Sequence, residues 1–98
     1  MSLRTSTTSP TPYVTEHAAD QWDARTDPDS VAPETAWAHS QRVVGAERPT
    51  RTDECRLHRP TRTLLLRNGY AVVTVLSESE FDPPVERVVE PLLEEVDA

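Results

Sequence analysis

ECRLHRPTRTLLLRNGYAVVTVL, Glu54 to Leu76, is the stretch whose reading decides the fold. It reads as three antiparallel strands joined by two tight turns. Asn68-Gly69 sits between a Leu-rich run and a β-branched one, which is a strong hairpin signal because a type I′ turn needs positive φ at both central residues. With these two as the loop, the expected partners are Arg67 with Tyr70, Leu66 with Ala71, Leu65 with Val72, Leu64 with Val73 and Thr63 with Thr74. Pro60 has no N–H to give to a ladder and ends the run before it. A turn at Pro60-Thr61 then sets Arg59 against Arg62, His58 against Thr63, Leu57 against Leu64 and Arg56 against Leu65.

Side chains alternate across a sheet, so these pairings sort the residues into two faces. One face collects Cys55, Leu57, Leu64, Leu66, Ala71, Val73 and Val75, and is a core. The other collects Arg56, His58, Thr63, Arg67, Tyr70 and Thr74, with Leu65 and Val72 among them. Cations, an imidazole and hydroxyls on one side are what a phosphate-handling surface needs.

Outward from this stretch, residues 1–12 are rich in Ser, Thr and Pro and read as a disordered tail, since they cannot bury enough to offset their ordering entropy. Tyr13 to Thr15 reads as a short strand. Glu16 to Arg25 reads as a helix capped by Thr15, with Ala18, Trp22 and Ala19 inward, and Asp27-Pro28-Asp29 stops it. A second helix is expected from Pro33 to Val44, with Pro33 in its first turn and Gly45 at its C-terminal cap. Residues 46–53 form a polar connector. After a loop at 77–84, the stripe Val85, Val88, Val89, Leu92, Leu93 and Val96 marks a helix over about 84–97 by its helical spacing. Pro91 is expected to kink or split that helix. The whole is an α+β fold, a single domain over 13–98. Its N-terminal helices lie on one face of a three- to four-stranded antiparallel sheet, and an amphipathic helix ends the chain.

Ninety-eight residues suffice for one modest core. The chain shows no apolar run of membrane-spanning length and no signal-peptide pattern. Its one cysteine, Cys55, allows no internal disulfide and suits a reducing cytoplasm. There is no lysine and no isoleucine, a bias of GC-rich genomes, and seventeen acids against ten arginines suit a halophilic source. A net charge of −7 argues against general affinity for nucleic acid. The charge is uneven, however. Residues 48–67 carry six arginines against Asp53 and Glu54, a local +4, while elsewhere four arginines face fifteen acids. A basic hairpin on an acidic protein can bind phosphate locally, or its arginines can simply guard strand edges.

The segment HAADQWDAR, His17 to Arg25, followed by a helix, the Glu-x-Arg-x-His-Arg-Pro turn and a Leu/Val hairpin, resembles small RelE-superfamily proteins. It is more similar still to the BrnT-like and related domains that open with His-Ala-x-x-Arg-x-x-x-Arg. The resemblance covers about residues 13–77. It implies helices against an antiparallel sheet, a metal-independent ribonuclease acting as a toxin, and a cognate antitoxin. His17 and Ala18 match the opening of the signature and Arg25 its second arginine. Gln21 stands where the first arginine would be, which removes a cation and introduces the alternative of a degenerate, non-catalytic relative.

Metal-free RNA cleavage needs a base for the ribose 2′-OH, an acid for the leaving oxygen and cations for the phosphorane. His58 is the best acid/base candidate, because imidazole titrates near neutral pH. Arg56 on the same face could grip a phosphate bidentately, with Arg25, Tyr70 and His17 as further catalytic candidates and Arg62 and Arg67 as phosphate ligands. Cys55 and His58 point to opposite faces of a strand, so a zinc site is not expected, and no cofactor is implied. The partners expected are RNA and an antitoxin, with a homodimer through a sheet edge as a further arrangement. A reading from another class is a non-enzymatic interaction module using the acidic C-terminal helix.

Overall fold

The computed structural model describes residues 12–27 and 29–94. The tail expected at 1–12 lies outside them except for Pro12, which is buried. The elements in order are β1 (Tyr13–Val14), α1 (Glu16–Arg25), α2 (Pro33–Ala38), β2 (Gln41–Arg42), α3 (Glu47–Thr50), β3 (Glu54–His58), β4 (Thr63–Asn68), β5 (Ala71–Ser77) and α4 (Pro83–Glu94). Short 3₁₀ turns at Arg59–Thr61 and Glu78–Glu80 follow β3 and β5. The sheet order is β1-β5-β4-β3-β2.

The central meander is as expected in outline. Between β3 and β4 the register is the predicted one, with Arg56 opposite Leu65, Leu57 opposite Leu64 and His58 opposite Thr63. The second hairpin differs. Asn68 pairs with Ala71, so Gly69 and Tyr70 form the loop, and of the loop residues only Gly69 has positive φ, at 61°. Glycine at the first central position is the type II′ requirement. Asn68 is instead used through its side chain, whose Oδ1 accepts the Asp53 N–H at 2.9 Å, while Asp53 Oδ2 accepts the Gly69 N–H at 2.8 Å. This brace ties the turn to the start of β3.

The register then shifts between Leu66 and Arg67, so that Leu66 pairs with Thr74 and Leu65 with Val75. The additional residue on β5 is a bulge, and everything beyond it changes face. Val75 therefore packs with Leu65 and Val72 rather than with Leu57 and Leu64, and Leu76 takes the side expected of Val75.

The sheet is wider than expected, five strands rather than three or four, and mixed, because β1 runs parallel to β5. Helices cover both faces rather than one. On one side Ala18 and Trp22 of α1 and Ala36 and Trp37 of α2 pack on Leu65, Val72 and Val75. On the other, Val85, Val89 and Leu93 of α4 pack on Cys55, Leu57, Leu64 and Leu66. A sheet apolar on both faces must be covered twice, which gives a three-layer α+β sandwich. Burial of each such Val or Leu side chain contributes about 1.5–3 kcal/mol.

Two further expectations are corrected by this layering. The second helix stops at Ala38 instead of Val44. Trp37 belongs to one core and Val43 to the other, so no single helix face could serve both. The chain instead rounds the sheet edge as β2, and the Val43 N–H reaches Cys55 O at 2.9 Å. Pro91 does not split α4, which is continuous from Pro83 to Glu94, with Val89 and Leu93 buried on either side of it. The last residues of the expected helix lie outside the described chain. α1 has the predicted bounds and cap, the Thr15 hydroxyl accepting the Ala18 N–H at 3.1 Å.

Candidate functional site

Alternation along β3 sets Glu54, Arg56 and His58 on the face covered by α1 and α2. That face is interior. The Arg56 guanidinium lies 4.7 Å over the Trp37 ring, and its Nε donates to Glu54 Oε2 at 2.8 Å. Arg67, the register partner of Glu54, donates from Nε to Oε1 of the same carboxylate at 3.1 Å. Burial pushes the Glu54 carboxyl up, but the bonds from Arg56 and then Arg67 outweigh it and hold the group below its usual range.

His58 is 6% exposed, with its ring edge-on to Trp22 at 5.7 Å between centroids. Its Nδ1 lies 2.8 Å from Thr61 Oγ1, and the Thr61 hydroxyl donates in turn to His58 O at 3.3 Å. The one hydroxyl hydrogen serves one of these two contacts, and the tautomer of His58 follows from which: donation to His58 O leaves Nδ1–H as donor and the lone pair on Nε2. Burial, and secondarily the charge of His39, lowers the pKa below the ordinary imidazole value. The ring is therefore neutral at neutral pH, as a general base must be.

At the same end of the sheet, where Thr63 pairs with Ser77, two more arginines gather. Arg62 closes the β3–β4 turn in the left-handed region, φ 53°, and grips Glu78 with two bonds of 2.7 and 2.9 Å. Arg25, in the last turn of α1, grips Glu80 with two bonds of 2.6 Å. The Arg25 guanidinium, then the Ser77 N–H, holds the Glu80 carboxyl down at about 2.

The fold thus brings His58, Arg25 and Arg62 to one end. Arg67 and Tyr70 lie at the other, about 17 Å of strand away. Tyr70 is 84% exposed at the hairpin tip. His17 is exposed in the first turn of α1, eight residues and so about 12 Å along the helix from Arg25. Arg56 lies between, turned toward Glu54. Cys55 faces α4, with its Sγ 3.3 Å from the Thr50 and Thr52 hydroxyls.

A family model described as "Putative RelE superfamily toxin domain" matches residues 14–79. The chain belongs to that family. No curated protein and no solved structure matches it. Two residues of this toxin domain have roles that the sequence did not reveal. Gln21, at the signature's missing arginine, accepts the Val75 N–H at 3.0 Å and so holds α1 to β5. His39, just past α2, acts electrostatically on His58. The helix expected to run to Val44 encloses it, whereas α2 ends at Ala38 and β2 pairs Gln41 with Leu57, toward the His58 end of β3. Among the described residues, no helix is long and apolar enough to cross a membrane.

Proposed function

We propose that this RelE-family domain is a metal-independent endoribonuclease, the toxic member of a pair whose other member is an antitoxin protein. The single observation carrying the reading is His58: a nearly buried imidazole whose Nδ1 lies 2.8 Å from the Thr61 hydroxyl and whose pKa burial holds below the ordinary value. Nε2 takes the proton of a ribose 2′-OH, and the 2′-oxygen attacks the adjacent phosphorus. Arg25 and Arg62, at the same end of the sheet, supply the guanidiniums for the phosphorane charge. Each already holds a carboxylate in the two-pronged geometry that also suits a phosphate, so RNA would displace Glu80 and Glu78. A protein partner that keeps RNA away leaves those pairs intact.

The same pairs support a second reading. Arg25, Arg56, Arg62 and Arg67 each hold a carboxylate, and Gln21 contributes a structural bond instead of a cation. Both features fit a non-catalytic relative. The α4 stripe is taken up by the core, so an interaction module built on α4 would present its acidic outer face.

Expression of the chain alone and together with its adjacent gene product decides between them. The nuclease reading expects growth arrest and fragmented RNA with the chain alone, and rescue by the neighbour and by His58→Ala. Intact RNA and normal growth with the wild-type chain alone select the non-catalytic relative.

A further inference from the structure

We propose that Thr61 is the positioning residue of His58, its hydroxyl taking the Nδ1 hydrogen so that the neutral ring keeps its lone pair on Nε2. The catalytic consequence rests on the RNA-cleaving reading above, which it deepens by naming what sets the basic atom.

The place of the hydroxyl is fixed by the backbone. Pro60, with its restricted φ, lies in the 3₁₀ turn Arg59–Thr61, which closes with the Arg62 N–H on Arg59 O at 3.0 Å. The Thr63 hydroxyl then donates to Thr61 O at 3.0 Å. Thr61 Oγ1 is thereby held 2.8 Å from His58 Nδ1 and 3.3 Å from His58 O. One hydroxyl hydrogen has to serve both contacts. Given to Nδ1, it would leave the hydroxyl oxygen and His58 O as two acceptors with no hydrogen between them. Given to His58 O, it lets Nδ1–H donate to a hydroxyl lone pair, and both contacts are hydrogen bonds. The second arrangement makes two bonds where the first makes one, so it prevails.

Trp22 of α1 stands edge-on to the same ring, 5.7 Å between centroids, and its own Nε1 donates to Val31 O at 2.9 Å. Two elements therefore hold the imidazole. Nε2 has no hydrogen-bond partner among the described residues and is not sealed from solvent. The lone pair thus sits on the atom that a substrate can reach. When the base acts, the 2′-O–H bond breaks, the proton passes to Nε2 and the electron pair stays on the 2′-oxygen. The imidazolium still donates from Nδ1–H to Thr61, so the step needs no co-reactant.

The test is nitrogen-15 NMR of the His58 ring in the full chain at about pH 8, where imidazole is neutral, beside cleavage of a short defined RNA. The wild type should show Nδ1 as N–H and Nε2 bare. Thr61→Val keeps the shape without the hydroxyl. It should move population to the Nε2–H form and lower kcat by about 2- to 10-fold, the worth of one hydrogen bond, with KM little changed. Thr61→Ser should restore both. An Nε2–H ring in the wild type, or a tautomer that Thr61→Val does not move, would overturn the assignment. Full activity in Thr61→Val despite a moved tautomer would overturn the positioning role. The expected tautomer in a wild-type chain that cuts no RNA supports the Thr61 assignment and overturns the nuclease reading alone.

Discussion

Gln21 Oε1 accepts the Val75 backbone N–H at 3.0 Å, and this bond closes a sheet edge that β1 leaves open. β1 pairs with Ala71 and Val72, and among the described residues no strand pairs with the same edge of β5 beyond them. The arginine of the family signature could not do this, because guanidinium has donors and no acceptor. Gln21→Arg should destabilise the fold by about 1–3 kcal/mol, the cost of a part-buried N–H left unpaired. Gln21→Glu keeps the acceptor and should lose much less. Urea denaturation of both variants checks this, and equal midpoints for Gln21→Arg and wild type would remove the role.

His58 makes stability depend on pH in a fixed direction. Its folded pKa lies below the ordinary 6.5, so the unfolded chain binds the proton more readily. The contribution is complete above that unfolded value and is lost as pH falls from there toward the folded pKa. The urea midpoint should decline on acidification through this window, and His58→Gln should flatten the decline. An unchanged slope in the variant would show that the ring is not buried as described.

Glu54 and Glu78 both hold arginines, but in different surroundings. The Glu54 side chain is 13% exposed and compensates two guanidiniums, whereas Glu78 is 47% exposed and compensates one. Glu54→Gln should therefore cost about 1–3 kcal/mol. Glu78→Gln should stay within about 0.5 kcal/mol, since exposed pairs are screened by water. Thermal or urea melts that rank the two variants equally would contradict the burial of the Glu54 cluster.

Much of this architecture could be read from the residues, and what could not has identifiable causes. Pro60 and the Leu-rich runs fixed the β3–β4 register residue by residue, because a one-step slip would set Leu57 and Leu64 out of line with each other and with their core face. The Asn68-Gly69 pair was located correctly but assigned the wrong turn, since the Asn68 side chain bonds Asp53, a tertiary brace that local turn preference does not contain. The β5 bulge was invisible, because Val72, Val73 and Val75 are interchangeable in hydropathy. Trp37 and Val43 looked like one helical stripe until the sheet separated them into two cores. At the site, alternation set Arg56 beside His58, but sequence had no means of showing that α1 and α2 would roof that face. Nor could it show that Glu54, Glu78 and Glu80 would already occupy the arginines.

The most direct measurement of the central claim is cleavage of a defined RNA by the purified, partner-free chain in excess EDTA, with fragment ends identified by mass spectrometry. The account predicts cleavage that persists in EDTA, leaves 2′,3′-cyclic phosphate and 5′-hydroxyl ends, and falls by about 10²–10⁴-fold in His58→Ala. RNA left intact by the wild-type chain, or cut equally well by His58→Ala, would contradict it.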